Sequence, residues 1–293
     1  MRRAVALILL VAALPLAARA SKPEGTVDAV GMLDFKRGPR FKVGDWVRYR
    51  TKGESQQGYR TDYTVTVLIA GEELWWGEEC FWIETQTSYS GQTPEVTASL
   101  MSYAIFQDTL PSVRFARYIR KFFEGLDEQG IPVQQLFQRA PAEITTRGYA
   151  EPNPPRKVDT LGVGPVEVPM GKFDALRVNG LTRETTTQQD GDSTVYFERT
   201  EERSSWWSDR VPLTSLVRED MVETQRRRAW VAGESENAPL RVVERATGAT
   251  QLLDFGSGMK SLTVPERLQH PLGEQKPTRA KPAPPRRPAA KRG

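Results

Sequence analysis

The residue types that most often carry chemistry are scarce in this chain. Its 293 residues include one cysteine, Cys80, and one histidine, His270. A nucleophilic triad needs an ordered imidazole beside its nucleophile. His270 stands in a Pro- and Lys-rich C-terminal stretch that reads as disordered, so Ser-His-Asp and Cys-His mechanisms are not expected. Zinc and other transition-metal sites built on His and Cys go with them, and neither a metal nor a cofactor is implied. Cys80, between Glu79 and Phe81, reads as a small buried hydrophobe, since neighbouring acids raise a thiol's pKa. A lone cysteine also excludes an intramolecular disulfide. Ser257-Gly258-Met259-Lys260 matches a Ser-x-x-Lys pattern, but it lies among glycines and no Lys-Thr-Gly follows. Asp190-Gly191-Asp192 suits a hairpin turn better than a calcium loop. Only carboxylate-pair chemistry stays formally open, because 37 Asp and Glu residues guarantee that some pair lies close. The expectation is a protein that is not an enzyme.

Binding candidates are aromatic. Trp75-Trp76, Trp82 and Trp206-Trp207 fall in strand-like stretches, and Phe115, Tyr118 and Phe122 form an apolar series between them. Successive side chains of a strand point to opposite faces, so each tryptophan doublet demands two covered faces, a bulge or a strand end. Gly77, directly after Trp76, favours a bulge there. Ser208-Asp209 and Pro212 place Trp206-Trp207 near a strand end.

The chain's two ends differ in composition from its middle. Arg2 and Arg3, the apolar run from Ala4 to Ala18, and Ala18-Arg19-Ala20 read as a secretory signal over residues 1–20, cleaved near Ala20. A short linker, 21–34, follows. The apolar run is short of the roughly 20 residues that span a bilayer, and no later segment replaces it. A soluble periplasmic or secreted protein is expected. Residues 265–293 hold eight Lys or Arg against two acids, a net +6, and read as a disordered tail. The pI of 9.2 therefore misleads. Subtracting the tail and the three signal arginines from the formal +4 leaves the middle at −5. No nucleic-acid partner is implied, although the tail could meet anionic cell-wall or headgroup surfaces.

Residues 35–264 read as a single antiparallel β domain, with two halves joined at the proline-rich 150–159. "DWVRYR", "YTVTVLIAG" and "CFWIETQTSY" have β periodicity or β-branched density. Hairpin turns are expected at Pro169–Gly171 (a type I turn with a glycine bulge), at Asp190-Gly191 and near Thr247-Gly248. One stretch, 113–126, breaks the pattern. Phe115, Tyr118, Ile119, Phe122 and Leu126 make a helical stripe, which predicts a covering helix, although a strand followed by a turn at 127–130 also fits. Residues 93–106 likewise read as either a helix start or a strand.

"VGPVEVPMGKFDALRV" (163–178) and "ERSSWWSDRVPLTSLVRED" (202–220) resemble a pattern of exported bacterial β-proteins: Val-x-Val-Pro-x-Gly-x-Phe, a strand, then Trp-x-Ser-x-x-Val-Pro-Leu. These resemble uncharacterised relatives of the lipoprotein-localisation (Lol) carriers. The resemblance covers Gly162 to Asp220 and implies a strongly curved, incomplete β-barrel with one or two covering helices over an apolar cavity. The implied function is binding of an apolar or amphipathic ligand, such as a lipid or a lipoprotein acyl chain. Trp75, Trp76, Trp82, Trp206, Trp207, Phe115, Tyr118 and Phe122 are the candidate ligand contacts. Two other readings stay open: an envelope assembly factor that binds proteins, and a carbohydrate binder with an aromatic platform.

Overall fold

A computed structural model of the chain describes residues 39–108, 115–126, 132–138, 156–190, 192–231 and 239–275. The signal, the linker, the prolines of 150–155 and the tail beyond 275 lie outside the described residues. Eleven strands form one antiparallel sheet: β1 (Trp46–Ser55), β2 (Arg60–Trp75), β3 (Glu78–Tyr89), β4 (Glu95–Ser102), β5 (Ile119–Leu126), β6 (Pro132–Gln138), β7 (Arg156–Val168), β8 (Gly171–Asp190), β9 (Ser193–Trp207), β10 (Leu216–Val231) and β11 (Arg241–Gly256). Their spatial order is β6-β5-β4-β3-β2-β1-β11-β10-β9-β8-β7. Two meanders, β1–β6 and β7–β11, thus share the β1/β11 pair, and β6 and β7 are the two outer strands. The sheet is open.

It is also curled. Tyr49 of β1, Phe81 of β3 and Met101 of β4 share one buried cluster with Val166 and Val168 of β7 and Phe173 of β8. Strands so far apart in the sheet order can meet only if the sheet bends around a common interior. On β2, Val65, Val67 and Ile69 face this inner core, whereas Leu68 and Ala70 join Cys80, Trp82, Ala98 and Leu100 in a second cluster on the outer face. Both faces of β2 and β3 are covered, which explains why "VTVLIA" is apolar without alternation.

The outer cover is the chain after β11, not a helix. Val264, Met259 and Leu268 pack into the outer cluster, and 3-10 turns at Glu266–Leu268 and Leu272–Glu274 run along β2. A Cβ at Gly71 would stand 2.0 Å from the Leu268 carbonyl oxygen, so only glycine lets this segment approach. The packed body therefore reaches at least Gln275, eleven residues past the expected boundary at 264/265. Composition misled because two leucines and a few side-chain hydrogen bonds suffice to dock so short a segment. His270, expected in disorder, stands exposed between the two turns.

Three local expectations are also corrected. Residues 115–126 form a 3-10 turn (Phe115–Tyr118) and then β5, not a covering helix. The stripe arose because β5 lies between two clusters: Phe122 packs on the inner core and Phe123 on the outer one. Gly77 makes no bulge; β2 and β3 join through the two-residue turn Trp76-Gly77. Thr247-Gly248 is no turn but the middle of β11, where Gly248 pairs with Gly53 and Met221. The other hairpins fall where expected, with Val168 opposite Gly171 and Asp190 opposite Ser193. Residues 93–106 follow the strand reading over β4: no helix starts at Thr93-Pro94, and the strand runs into a 3-10 turn at Tyr103–Gln107.

Candidate functional site

The eight aromatic candidates do not converge on one site. Tyr118, Phe122, Trp206 and Trp207 pack on the inner cluster. Trp75 and Trp82 pack on the outer one. Trp76 is 66 % exposed. The side chain of Phe115 lies outside the described residues.

The two doublets solve the two-face problem differently. At the first, Trp75 ends β2 and Trp76 begins the turn. Trp76 has φ +49° and Gly77 φ +83°, the double left-handed geometry of a type I′ hairpin. That turn selects Asn, Asp or Gly, so an indole at its first position is unusual. The two rings stack with centroids 5.6 Å apart and an interplanar angle of 14°. The Lys121 ammonium sits 3.8 Å from the Trp75 ring centroid and 2.6 Å from a Glu73 oxygen. The other Glu73 oxygen accepts the Trp82 indole N–H at 3.1 Å.

At the second doublet the register separates the rings. Trp206 stands opposite Arg177 on β8 and Arg218 on β10, and both guanidinium carbons lie over its ring, at 5.1 and 5.3 Å. Trp207 stands opposite Leu176 and Leu216, and Leu176 stands opposite Val163 on the outer strand β7. The result is an apolar row across four strands. It starts at Leu216, 4 % exposed, passes two half-buried side chains and ends at Val163, 71 % exposed.

The loop after Trp207 is held tightly. Leu213 and Ser215 have φ of +63° and +55°, sparsely populated for non-glycine residues. The fully buried Tyr49 hydroxyl fixes this loop, meeting Thr214 Oγ1 at 2.5 Å and donating to the Leu216 carbonyl at 2.7 Å. Burial pushes the Tyr49 hydroxyl well above the usual phenol range, so it remains a neutral donor. Val166, Val168, Phe173, Val211 and Leu213 of the two motif stretches lie in the inner cluster. The motif therefore records how β7, β8 and this loop pack.

Sequence reasoning missed the buried charges. Arg120, 1 % exposed, donates to Glu78 at 2.6 and 2.9 Å, and Ser102 donates to the same carboxylate at 2.5 Å. Burial pushes the Glu78 carboxyl up, but Arg120 and Ser102 outweigh it and hold it below the usual range. An Arg in an apolar strand beside a distant Glu gave no local signal. Along β8–β10, Glu198 accepts from Arg183 and Arg226, and Arg199 meets Glu184 and Glu223.

Cys80 is fully buried, and burial together with Glu78 pushes its thiol up to about 12. The exposed His270 imidazole meets no described hydroxyl or carboxylate at hydrogen-bond distance; its carbonyl accepts from Gln275. No cluster of His, Cys, Asp and Glu suited to a metal occurs among the described residues.

Fold and site define an open, curled antiparallel sheet with two covered faces and an aromatic margin. No family model matches the chain, and no curated protein does. Among solved structures it is similar to a protein described as a lipoprotein from Parabacteroides distasonis, with 12 % identity and a TM-score of 0.31 over 75 % of this chain and 97 % of that one. It is also similar to a LolA superfamily protein from Nitrosomonas europaea, with 10 % identity and a TM-score of 0.23 over 80 % and 94 %. An exported protein with a YmcC-like fold from Bacteroides fragilis follows, with 7 % identity and a TM-score of 0.20 over 75 % and 98 %. No helix among the described residues is long and apolar enough to cross a membrane.

Proposed function

We propose that this is a non-enzymatic, exported protein that holds an amphipathic molecule, such as a lipid or lipoprotein acyl chain, against the margin of its curled sheet. The observation that carries this reading is the row Leu216–Trp207–Leu176–Val163. An apolar row that leaves a packed core and ends exposed on an outer strand offers area a ligand can cover. Arg177, whose guanidinium lies over Trp206, supplies a cation near this margin for a polar head. The inner aromatics Phe41, Phe81, Tyr103 and Phe106 pack on one another at centroid distances of 4.8–6.2 Å and act as core. Ligand contact is therefore assigned to the margin rather than to the interior.

An acyl-chain fluorophore titrated into the exported protein tests this, alongside Trp207→Ala and Val163→Asp. Truncating a filled-core tryptophan costs about 3–5 kcal/mol of stability. At a ligand-facing margin Trp207→Ala is expected to cost less than that and to weaken probe binding at least tenfold. No probe binding by the unaltered protein sinks the reading. Intact mass of the exported chain is expected to begin at Ser21.

A second reading has its own observation, the exposed Trp76 ring stacked on Trp75 at a hairpin tip. Such a platform suits the face of a sugar ring or a protein partner in the envelope.

A further inference from the structure

A separate site lies at the other end of β9 and β10. Tyr196 and Phe197 are ten residues from Trp206 and Trp207 along β9, roughly 33 Å in an extended strand. Here Arg227 of β10 stands directly opposite Arg241 of β11, and both are exposed. Like charges directly opposed across a ladder are destabilising. Along β8–β10, by contrast, Arg183, Arg199, Arg203, Arg218 and Arg226 each meet a carboxylate. Among the described residues Arg227 and Arg241 meet none.

These two arginines line a depression of about 290 Å³ together with Arg228, Ala229, Pro239 and Val243. Aromatic rings position two of the guanidiniums. Arg228 lies 4.6 Å from the Tyr196 centroid and 5.4 Å from that of Trp230, and Arg227 lies 5.7 Å from that of Phe197. A guanidinium held against a ring leaves N–H donors for paired hydrogen bonds to a tetrahedral oxyanion.

We infer that this depression binds a phosphate group, with Arg227 and Arg241 as its paired donors. The anion supplies the countercharge that these two arginines lack among the described residues, and Pro239 and Val243 give it an apolar wall. The phosphate could be free or part of a lipid headgroup, and the two sources are separable.

The full mature chain and Arg227→Ala/Arg241→Ala would be titrated with inorganic phosphate against chloride at matched ionic strength. Both would then be floated with vesicles of phosphatidylcholine, with and without phosphatidylglycerol. The parent is expected to bind phosphate or the phosphatidylglycerol vesicles, and the double variant to lose at least about tenfold. Removing like-charge repulsion should leave its melting temperature equal or higher, which separates this effect from misfolding. Phosphate binding without vesicle binding identifies a free anion as the source; vesicle binding that requires phosphatidylglycerol identifies the headgroup. Trp207→Ala should leave either signal intact, so this site and the acyl-chain margin can fail independently. Binding of neither probe, or equal binding by the double variant, overturns the inference.

Discussion

Glu84 and Thr263 lie 179 positions apart in the chain, yet the Glu84 carboxylate accepts both the Thr263 amide at 2.9 Å and its hydroxyl at 2.5 Å. Glu84 is fully buried on β3, and the Ser261 hydroxyl and the Leu262 amide also donate to it. One buried carboxylate thus fixes the turn that starts the outer cover. Glu84→Ala leaves these donors buried without an acceptor, at a cost of about 2–4 kcal/mol. Chemical denaturation should show a lower midpoint, with hydrogen exchange rising first over residues 261–275. Unchanged exchange there would mean that the segment docks without Glu84.

Truncation locates the end of the body. Ending the chain after Val264 removes Leu268, the Gln269 side chain that donates to the Val264 carbonyl at 2.6 Å, and the Leu272 amide that donates to Glu72 at 2.8 Å. The melting temperature is expected to fall by several degrees, since about 1 kcal/mol corresponds to 2–4 °C for a domain of this size. Ending it after Gln275 removes only the Pro- and Lys-rich residues and should shift it by less than about 2 °C. Equal behaviour of the two truncations would show that residues 265–275 contribute nothing.

What was legible in the sequence follows from how local each signal is. Val168-Pro169-Met170-Gly171 and Asp190-Gly191 encode their turns in adjacent residues, and both hairpins form there. The strand density of "YTVTVLIAG" likewise needs no partner to be read. The helical stripe through Phe115, Tyr118 and Phe122 misled because a strand covered on both faces need not alternate. Thr247-Gly248 misled because Gly53 lies opposite Gly248 on β1, a pairing that no local window contains. The same holds for Arg120 with Glu78 and for Glu84 with Thr263. Of the site, the aromatics were visible, but their division between two faces depends on sheet order.

Acid should weaken the fold in part through Glu78. Its carboxyl is held below the ordinary value by Arg120 and Ser102, against the opposing effect of burial. A depressed folded pKa gives stability that is fully present above the unfolded value near 4.5 and lost as pH falls through the folded value. Glu78→Gln is therefore expected to be less stable at neutral pH and to lose less on acidification below about pH 4.5. Parallel stability–pH curves for parent and variant would show that Glu78 is not linked to folding.

The hairpin at Trp76-Gly77 makes the last prediction, a divergence of stability from binding. Both residues have positive φ, and nothing lies within 4 Å of a Cβ added at Gly77. Gly77→Ala is thus penalised by backbone conformation alone, by about 1 kcal/mol. Trp76 already bears such a penalty, because a bulky residue at φ +49° is held where Asn or Gly would rest. Trp76→Asn relieves it while giving up a stack on Trp75 that is worth about 0.5–1.5 kcal/mol in a buried pair and less at this exposure. The variant should therefore melt no lower than the parent, whereas Gly77→Ala melts lower. If the tip is an aromatic platform, Trp76→Asn should lose binding to soluble glycan fragments or envelope proteins despite its intact fold. A clearly lower melting temperature for Trp76→Asn would instead make the exposed indole part of the fold, and the platform reading would lose its basis.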